Sequence, residues 1–234
     1  MGQCLGRVYF LWYSERIRRK IFMKIVHGFT VATVLGIALF GLGLDSEAQT
    51  KPASESHSHS YETLGAPSGQ YTMDKGHGYV TFSYLHQGLS HPQLRFRDID
   101  ATLVLDADHP ENSQVNVTIN AASIDSGVDK FDDHLNGGDF FNTAKNPTIS
   151  FKSTGFTRAS ATTGTMQGDL TIMGITKPLS LDVEIVGTKG GKKGAIGVEG
   201  RGTLLRSDFG LGKYVPYVGD EVSLLISVEF HKDK

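Results

Sequence analysis

The sequence predicts an all-β domain of eight antiparallel strands with one short α-helix between the third and fourth. Three observations carry this reading: apolar residues alternate with period two from Tyr71 almost to the C-terminus, turn residues punctuate the alternation, and a single stretch switches to helical spacing. The first strand places Val80, Phe82, Tyr84 and His86 on one face, with Thr81 and Ser83 on the other. Ile99, Ala101, Leu103 and Leu105 alternate in a second strand, and Val115, Val117 and Ile119 in a third. Asp106 to Asn112, with Pro110, supplies the turn between them. Ser126 to Asn136 carries Val128, Phe131 and Leu135 at helical spacing. Asp125 or Ser126 is its expected cap and Gly137-Gly138 its stop.

Ile149 and Phe151 mark the fourth strand, Leu170 and Ile172 the fifth, and Leu179, Leu181, Val183 and Ile185 the sixth. Thr171 to Leu181 reads as a hairpin in which Gly174 and Pro178 break the ladder. Ile196, Val198, Gly200 and Gly202 continue in the seventh strand, and Val222, Leu224, Ile226, Val228 and Phe230 in the eighth. Strands with one apolar face fit a closed barrel and a sandwich equally. An eight-stranded barrel has an interior that side chains fill or that holds one slender ligand.

Ahead of this domain, residues 1–48 read as an export signal. Arg16, Arg18, Arg19, Lys20 and Lys24 precede an apolar run from Val31 to Leu44, and Ser46-Glu47-Ala48 offers small residues for a cut before Gln49. The run is shorter than the ~20 residues a bilayer core requires, which favours a cleaved signal over an anchor. Met23 is an alternative start. The expected location is therefore the periplasm or the exterior. Residues 49–69 are rich in Ser, Pro and Glu and read as a flexible linker. His57-Ser58-His59 within it reads as solvated chain rather than as a metal site. The barrel domain is placed at residues 70–234.

Composition excludes several function classes. Cys4 is the only cysteine and lies in the expected signal, so the mature chain has no disulfide, thiol nucleophile or thiolate metal site. Residues 1–48 hold six of the 23 Lys and Arg and three of the 25 Asp and Glu. The remainder has 17 basic and 22 acidic residues, a net charge of −5 with His neutral, which argues against nucleic acid as a partner. No Gly-x-Ser-x-Gly, His-Glu-x-x-His or dinucleotide fingerprint occurs. The glycine-rich stretch Gly187 to Gly197 lacks the ending of a phosphate loop and reads as a hairpin tip. No catalytic residue and no metal or cofactor is expected.

Several local motifs, taken in order, resemble the YceI-like polyisoprenoid-binding proteins, a family of exported lipocalin-like barrels. They are Asp74 to His86 (DKGHGYVTFSYLH), Asp132 to Phe141 (DDHLNGGDFF), Asn146 to Thr154 (NPTISFKST), Gly168 to Leu179 (GDLTIMGITKPL), Arg206 to Gly210 (RSDFG) and Val218 to Val222 (VGDEV). Gly78 departs from the serine usual after the first histidine, Tyr84 replaces a small aliphatic residue, and the segment before Phe96 lacks a usual glycine.

The resemblance implies an eight-stranded lipocalin-like barrel around a tunnel for a polyprenyl or fatty-acyl chain, such as a quinone tail or prenyl phosphate. The candidate lining is Val80, Phe82, Tyr84, Ile99, Ala101, Leu103, Val117, Ile119, Phe141, Phe151, Leu170 and Ile172. Candidates for a head group are His77, His86, Asp132, His134 and Arg206. Three of them have a plainer reading: Arg206 paired with Asp208, His86 as a hydrogen-bonded core histidine, His134 as a cap or loop pin. Transient membrane contact accompanies the carrier reading. The competing reading is a solid barrel acting as a protein-interaction module, with Tyr214, Pro216 and Tyr217 near Phe209 as a docking patch instead of a flap.

Overall fold

A computed structural model describes residues 64–234 of the chain; the expected signal, the histidine pair at 57 and 59 and most of the expected linker lie outside them. The strands are β1 (Gly69–His86), β2 (Gln93–Phe96), β3 (Ile99–Leu105), β4 (Gln114–Asn120), β5 (Ile124–Asp125), β6 (Thr148–Arg158), β7 (Thr163–Ile172), β8 (Ile175–Lys189), β9 (Ala195–Leu205) and β10 (Val218–Lys232). Helix α1 spans Asp129–Asn136, between β5 and β6. The order β1-β3-β4-β6-β7-β8-β9-β10 is antiparallel throughout and closes where β10 pairs with β1, from Tyr71↔Lys232 to His86↔Val218. This ring of eight strands is a closed barrel, which settles the choice between barrel and sandwich.

The two short strands are continuations of their neighbours. β1 pairs with β3 at its start and with β2 further on, on the same edge, so β2 and β3 form one interrupted strand. β5 pairs with β2 and likewise prolongs β4. The kinks fall where the alternation is too short to be read in sequence. Asp125 pins this corner: its Oδ2 accepts from Arg95 Nε at 2.8 Å and Arg97 Nε at 2.7 Å. Those two bonds, Arg95 first, and the Gly127 N–H hold the carboxyl well down, at about 2. A depressed carboxylate contributes stability that is fully present above its unfolded value of ~3.9 and is lost as pH falls through the folded one. Asp125→Asn is therefore expected to lower the denaturation midpoint at neutral pH, and the midpoints of the two proteins are expected to converge between about pH 4 and pH 2. A difference that persists unchanged to pH 2 would show that the arginine pair is not its source.

Inward residues follow the expected alternation. In β3, Ile99, Ala101, Leu103 and Leu105 are buried while Asp100 and Val104 face outward. Register shifts move the inward face by one residue at defined places. In β1 the break between Met73 and Gly78 changes the inward set from Tyr71 and Met73 to Val80, Phe82 and Tyr84. A shift between Ser153 and Gly155 similarly turns Phe156 inward in β6. Gly168 is required on β7 because Phe151 lies over it. A Cβ there would meet that ring, and the Lys152 carbonyl at 2.7 Å.

Some local expectations are corrected. Helix α1 begins at Asp129, later than Ser126, because Gly127 adopts a left-handed conformation (φ +78°). Pro178 lies inside β8, paired with Asp169, and does not break the ladder. It precedes Asp182, where pairing with β9 begins, an edge-like position that tolerates a strand proline. Gly202 is small because the β8 backbone approaches it, with the Ser180 carbonyl 2.8 Å from where a Cβ would sit. The end of the expected linker, residues 64–69, packs on the barrel. Ala66 is buried, Ser68 Oγ accepts from the Ala107 N–H at 2.9 Å, and Tyr71 Oη donates to the Pro67 carbonyl at 2.5 Å.

Candidate ligand cavity

The strands enclose a cavity of about 430 Å³ whose wall is apolar over nearly all its length. That volume lies within the ~300–1,000 Å³ usual for small-molecule sites. All twelve residues expected to line a tunnel, from Val80 in β1 to Ile172 in β7, are placed on this wall. Leu179, Leu181, Val183, Val198, Leu224 and Ile226 complete the far side from β8, β9 and β10. Their alternation was legible in sequence, yet it did not bring them into the candidate set. Ala101 and Gly200 leave room on the wall where larger side chains would fill it. A barrel packed solid by its own side chains is not what the structure shows.

The two ends differ in chemistry. At the end where β1 begins and β3 finishes, Leu64 and Pro110 reach the cavity, and Ser113 and Ser153 are the polar residues nearby. Ser153 Oγ is occupied, accepting from the Val115 N–H at 2.8 Å. At the opposite end His86, His134, Arg206, Tyr84 and Tyr214 contribute to the wall together with Phe131 and Leu135 of α1. The polar side chains are thus gathered at one mouth, with an apolar shaft behind them.

Two loops meet across that mouth. Phe140, just after α1, packs against His134 with ring centroids 5.0 Å apart and faces Tyr214 at 6.2 Å. Lys213 pairs with Asp139 and lies 5.2 Å from the Tyr214 ring centre. Phe140 and Tyr214 were not among the expected lining residues. The aromatic run around Tyr214 was the signal, and of its two readings the flap describes where this side chain lies. Tyr217 points away, and Phe209 is buried elsewhere, against β8.

Arg206, only 7 % exposed, is the anchor of the mouth. Its Nε donates to the Gly219 carbonyl at 2.8 Å and its Nη2 to Val218 at 2.8 Å. Its Nη1 donates to the Leu211 carbonyl and, at 2.9 Å, to Lys213. The expected pair with Asp208 is not formed. Asp220, whose carboxylate binds the Ser207 N–H and hydroxyl at 2.9 and 2.6 Å, is the neighbouring counter-charge. Burial pushes the guanidinium below its ordinary value, with Asp220 and Tyr84 acting in the other direction. Burial likewise raises the Tyr84 hydroxyl, against a smaller opposing effect of Arg206.

The remaining head-group candidates separate. His86 and His134 are at the mouth, His86 half-buried at the end of β1 and His134 exposed on α1. His77 is on the outer surface, with Nδ1 2.8 Å from Asp74. That carboxylate, and beyond it Glu229, raise the imidazole above its ordinary value. Asp132 is taken up by the start of α1, accepting from the Ser126 N–H at 2.8 Å. Neither His77 nor Asp132 lines the cavity. Among the described residues no cluster of three or more His, Cys, Asp or Glu has the geometry to hold a metal.

Comparison with known proteins agrees with this architecture. The YceI-like domain matches residues 71–230. Protein YceI of Escherichia coli O6:H1 is 36% identical over 170 residues, covering 70% of this chain and 87% of that protein. The crystal structure of the Campylobacter jejuni YCEI protein, 31% identical, superposes with a TM-score of 0.59 over 64% of this chain and 90% of that one. A polyisoprenoid binding domain from Saccharophagus degradans shares the fold at 12% identity, with a TM-score of 0.53 over 70% of this chain and 98% of that domain. With the motif order, the closed eight-stranded barrel and the match across residues 71–230 in agreement, the chain belongs to the YceI-like domain family.

Proposed function

We propose that this protein is an exported, non-catalytic carrier that holds a long isoprenoid or similar fatty-acyl lipid inside its barrel. The observation that carries the reading is the cavity itself, an apolar shaft of about 430 Å³ with polar side chains only near its ends. Such a shaft favours a chain of methyl and methylene groups, each contributing ~0.8 kcal/mol on leaving water. It offers little to a polar substrate, whose lost hydrogen bonds the wall does not replace. The name of the Saccharophagus degradans domain, a polyisoprenoid binder of the same fold, favours the isoprenoid class. Export is supported by the basic segment and apolar run ahead of Gln49. The mouth, with His86, His134 and Tyr84 beside the anchored Arg206, suits a polar or anionic head group such as a quinone ring or a phosphate.

Organic extraction of the purified protein followed by mass spectrometry tests the proposal. One isoprenoid or acyl species near one per chain is the expected result. An empty extract from well-folded protein recovered from its own cells would overturn it and return weight to a protein-interaction role.

A further inference from the structure

The rim of the mouth is unlike the rest of the surface. Residues 85–93 and 210–219 form adjoining loops, joined by the Gln87 N–H donating to the Tyr217 carbonyl at 3.0 Å. Leu89 is 83% exposed and Tyr217 78%, the highest values among the exposed large apolar residues, and Leu85 and Val215 are exposed beside them. Neither loop contains Asp or Glu, although the chain from Gln49 onward is net acidic; their ionisable side chains are His86, His91, Lys213, Tyr214 and Tyr217. The hairpin tip at the other end, Lys189 to Gly194, carries lysines and glycines and no large apolar residue. Exposed leucine and tyrosine gathered on two loops that carry no acids of their own, with Lys213 neutralising Asp139 beside them, are the composition of an interfacial patch: the aliphatic group enters the acyl boundary and the tyrosine sits at head-group level.

We propose that this rim docks on a lipid bilayer, with Leu89 and Tyr217 entering its interface so that the cavity mouth opens onto the membrane. The partner is a lipid surface, because the patch is continuous with the mouth through which an apolar chain passes. Such a chain is scarce in water and abundant in the bilayer. The choice of a lipid surface as partner and the purpose assigned to docking rest on the carrier reading; the exposed leucine and tyrosine of the rim do not.

The test uses the full chain with its single tryptophan, Trp12, replaced by phenylalanine. One tryptophan is then introduced as Leu89→Trp or, for reference, as Val186→Trp, a 64% exposed site on β8 towards the opposite end of the barrel. With phosphatidylcholine vesicles, with or without phosphatidylglycerol, the Leu89→Trp emission is expected to shift to the blue and to be quenched by brominated acyl chains, while Val186→Trp is unchanged. Leu89→Ser with Tyr217→Ser is expected to slow uptake of a pyrene-labelled lipid from vesicles at least tenfold and to leave uptake from detergent micelles unaltered. Absence of quenching at position 89 overturns the proposal. Equal quenching at both positions also does, since it reports the N-terminal apolar segment, as does a dimer in sedimentation that buries position 89. An empty extract alongside quenching at position 89 would remove the cargo and leave the docking in place.

Discussion

Arg206→Met is expected to lower stability by about 3 kcal/mol or more, because it strips the donors from four carbonyls of one loop at once. Methionine fills similar space, so the loss is one of hydrogen bonding more than of packing. For a domain of this size such a change moves the thermal midpoint by roughly 6–12 °C. The loop between Leu211 and Tyr217 has no strand pairing of its own and is tied to the start of β10 largely through this guanidinium, so hydrogen exchange there is expected to rise first. Arg206→Lys keeps the charge but not the fork that reaches carbonyls on both sides, and is expected to recover only a minor part of the loss. If both variants melt with the native protein, the four bonds are not what orders the mouth.

Phe82→Glu is expected to abolish most of the lipid load. Phe82 is on the cavity wall and stacks on Phe96 with centroids 5.5 Å apart, so a carboxylate there would face the apolar shaft between Val80 and Tyr84. Desolvating it costs more than the tenfold in occupancy that ~1.4 kcal/mol represents. Ala101→Phe is the uncharged counterpart: it fills the shaft and is expected to reduce load by volume alone, at about 1–3 kcal/mol of overpacking. Phe82→Ala leaves the wall apolar and is expected to remain loaded. Circular dichroism confirms the fold of each, and mass spectrometry of extracts counts the lipid. Full load in folded Phe82→Glu and Ala101→Phe proteins would place the lipid outside the barrel.

The wall was readable in sequence because burial on one face of a strand writes itself as period two: Ile99, Ala101, Leu103 and Leu105 state their orientation without any structure. What the alternation could not convey was closure, which depends on β10 meeting β1 across the length of the chain. Short pieces such as Ile124–Asp125 hold too few residues for a period to emerge. The role of Arg206 was hidden for another reason. Its partners are backbone carbonyls, which every residue carries, so no side-chain complement marks them, and a nearby Asp208 offered a false one. His77 and Asp132 stood inside motifs that carried the resemblance, but their bonds serve a surface turn and a helix start. Leu64 lies in a polar stretch, where a single apolar residue gave no sign that it reaches the barrel floor.

The seam between β1 and β10 also constrains how the molecule comes into being. Phe82 meets Leu224 and Tyr71 meets Lys232, so the first strand waits for the last before either has its second neighbour. Every other rung of the ring joins strands that are near in sequence. Closing the seam therefore bears the largest loop entropy of the fold and sets a high contact order, the condition under which β proteins fold in milliseconds to seconds rather than faster. Until then two raw edges stand open to any passing strand. A chain that loses its final strand is left with two edges for good, on β1 and β9, and what remains is an aggregating sheet instead of a smaller container.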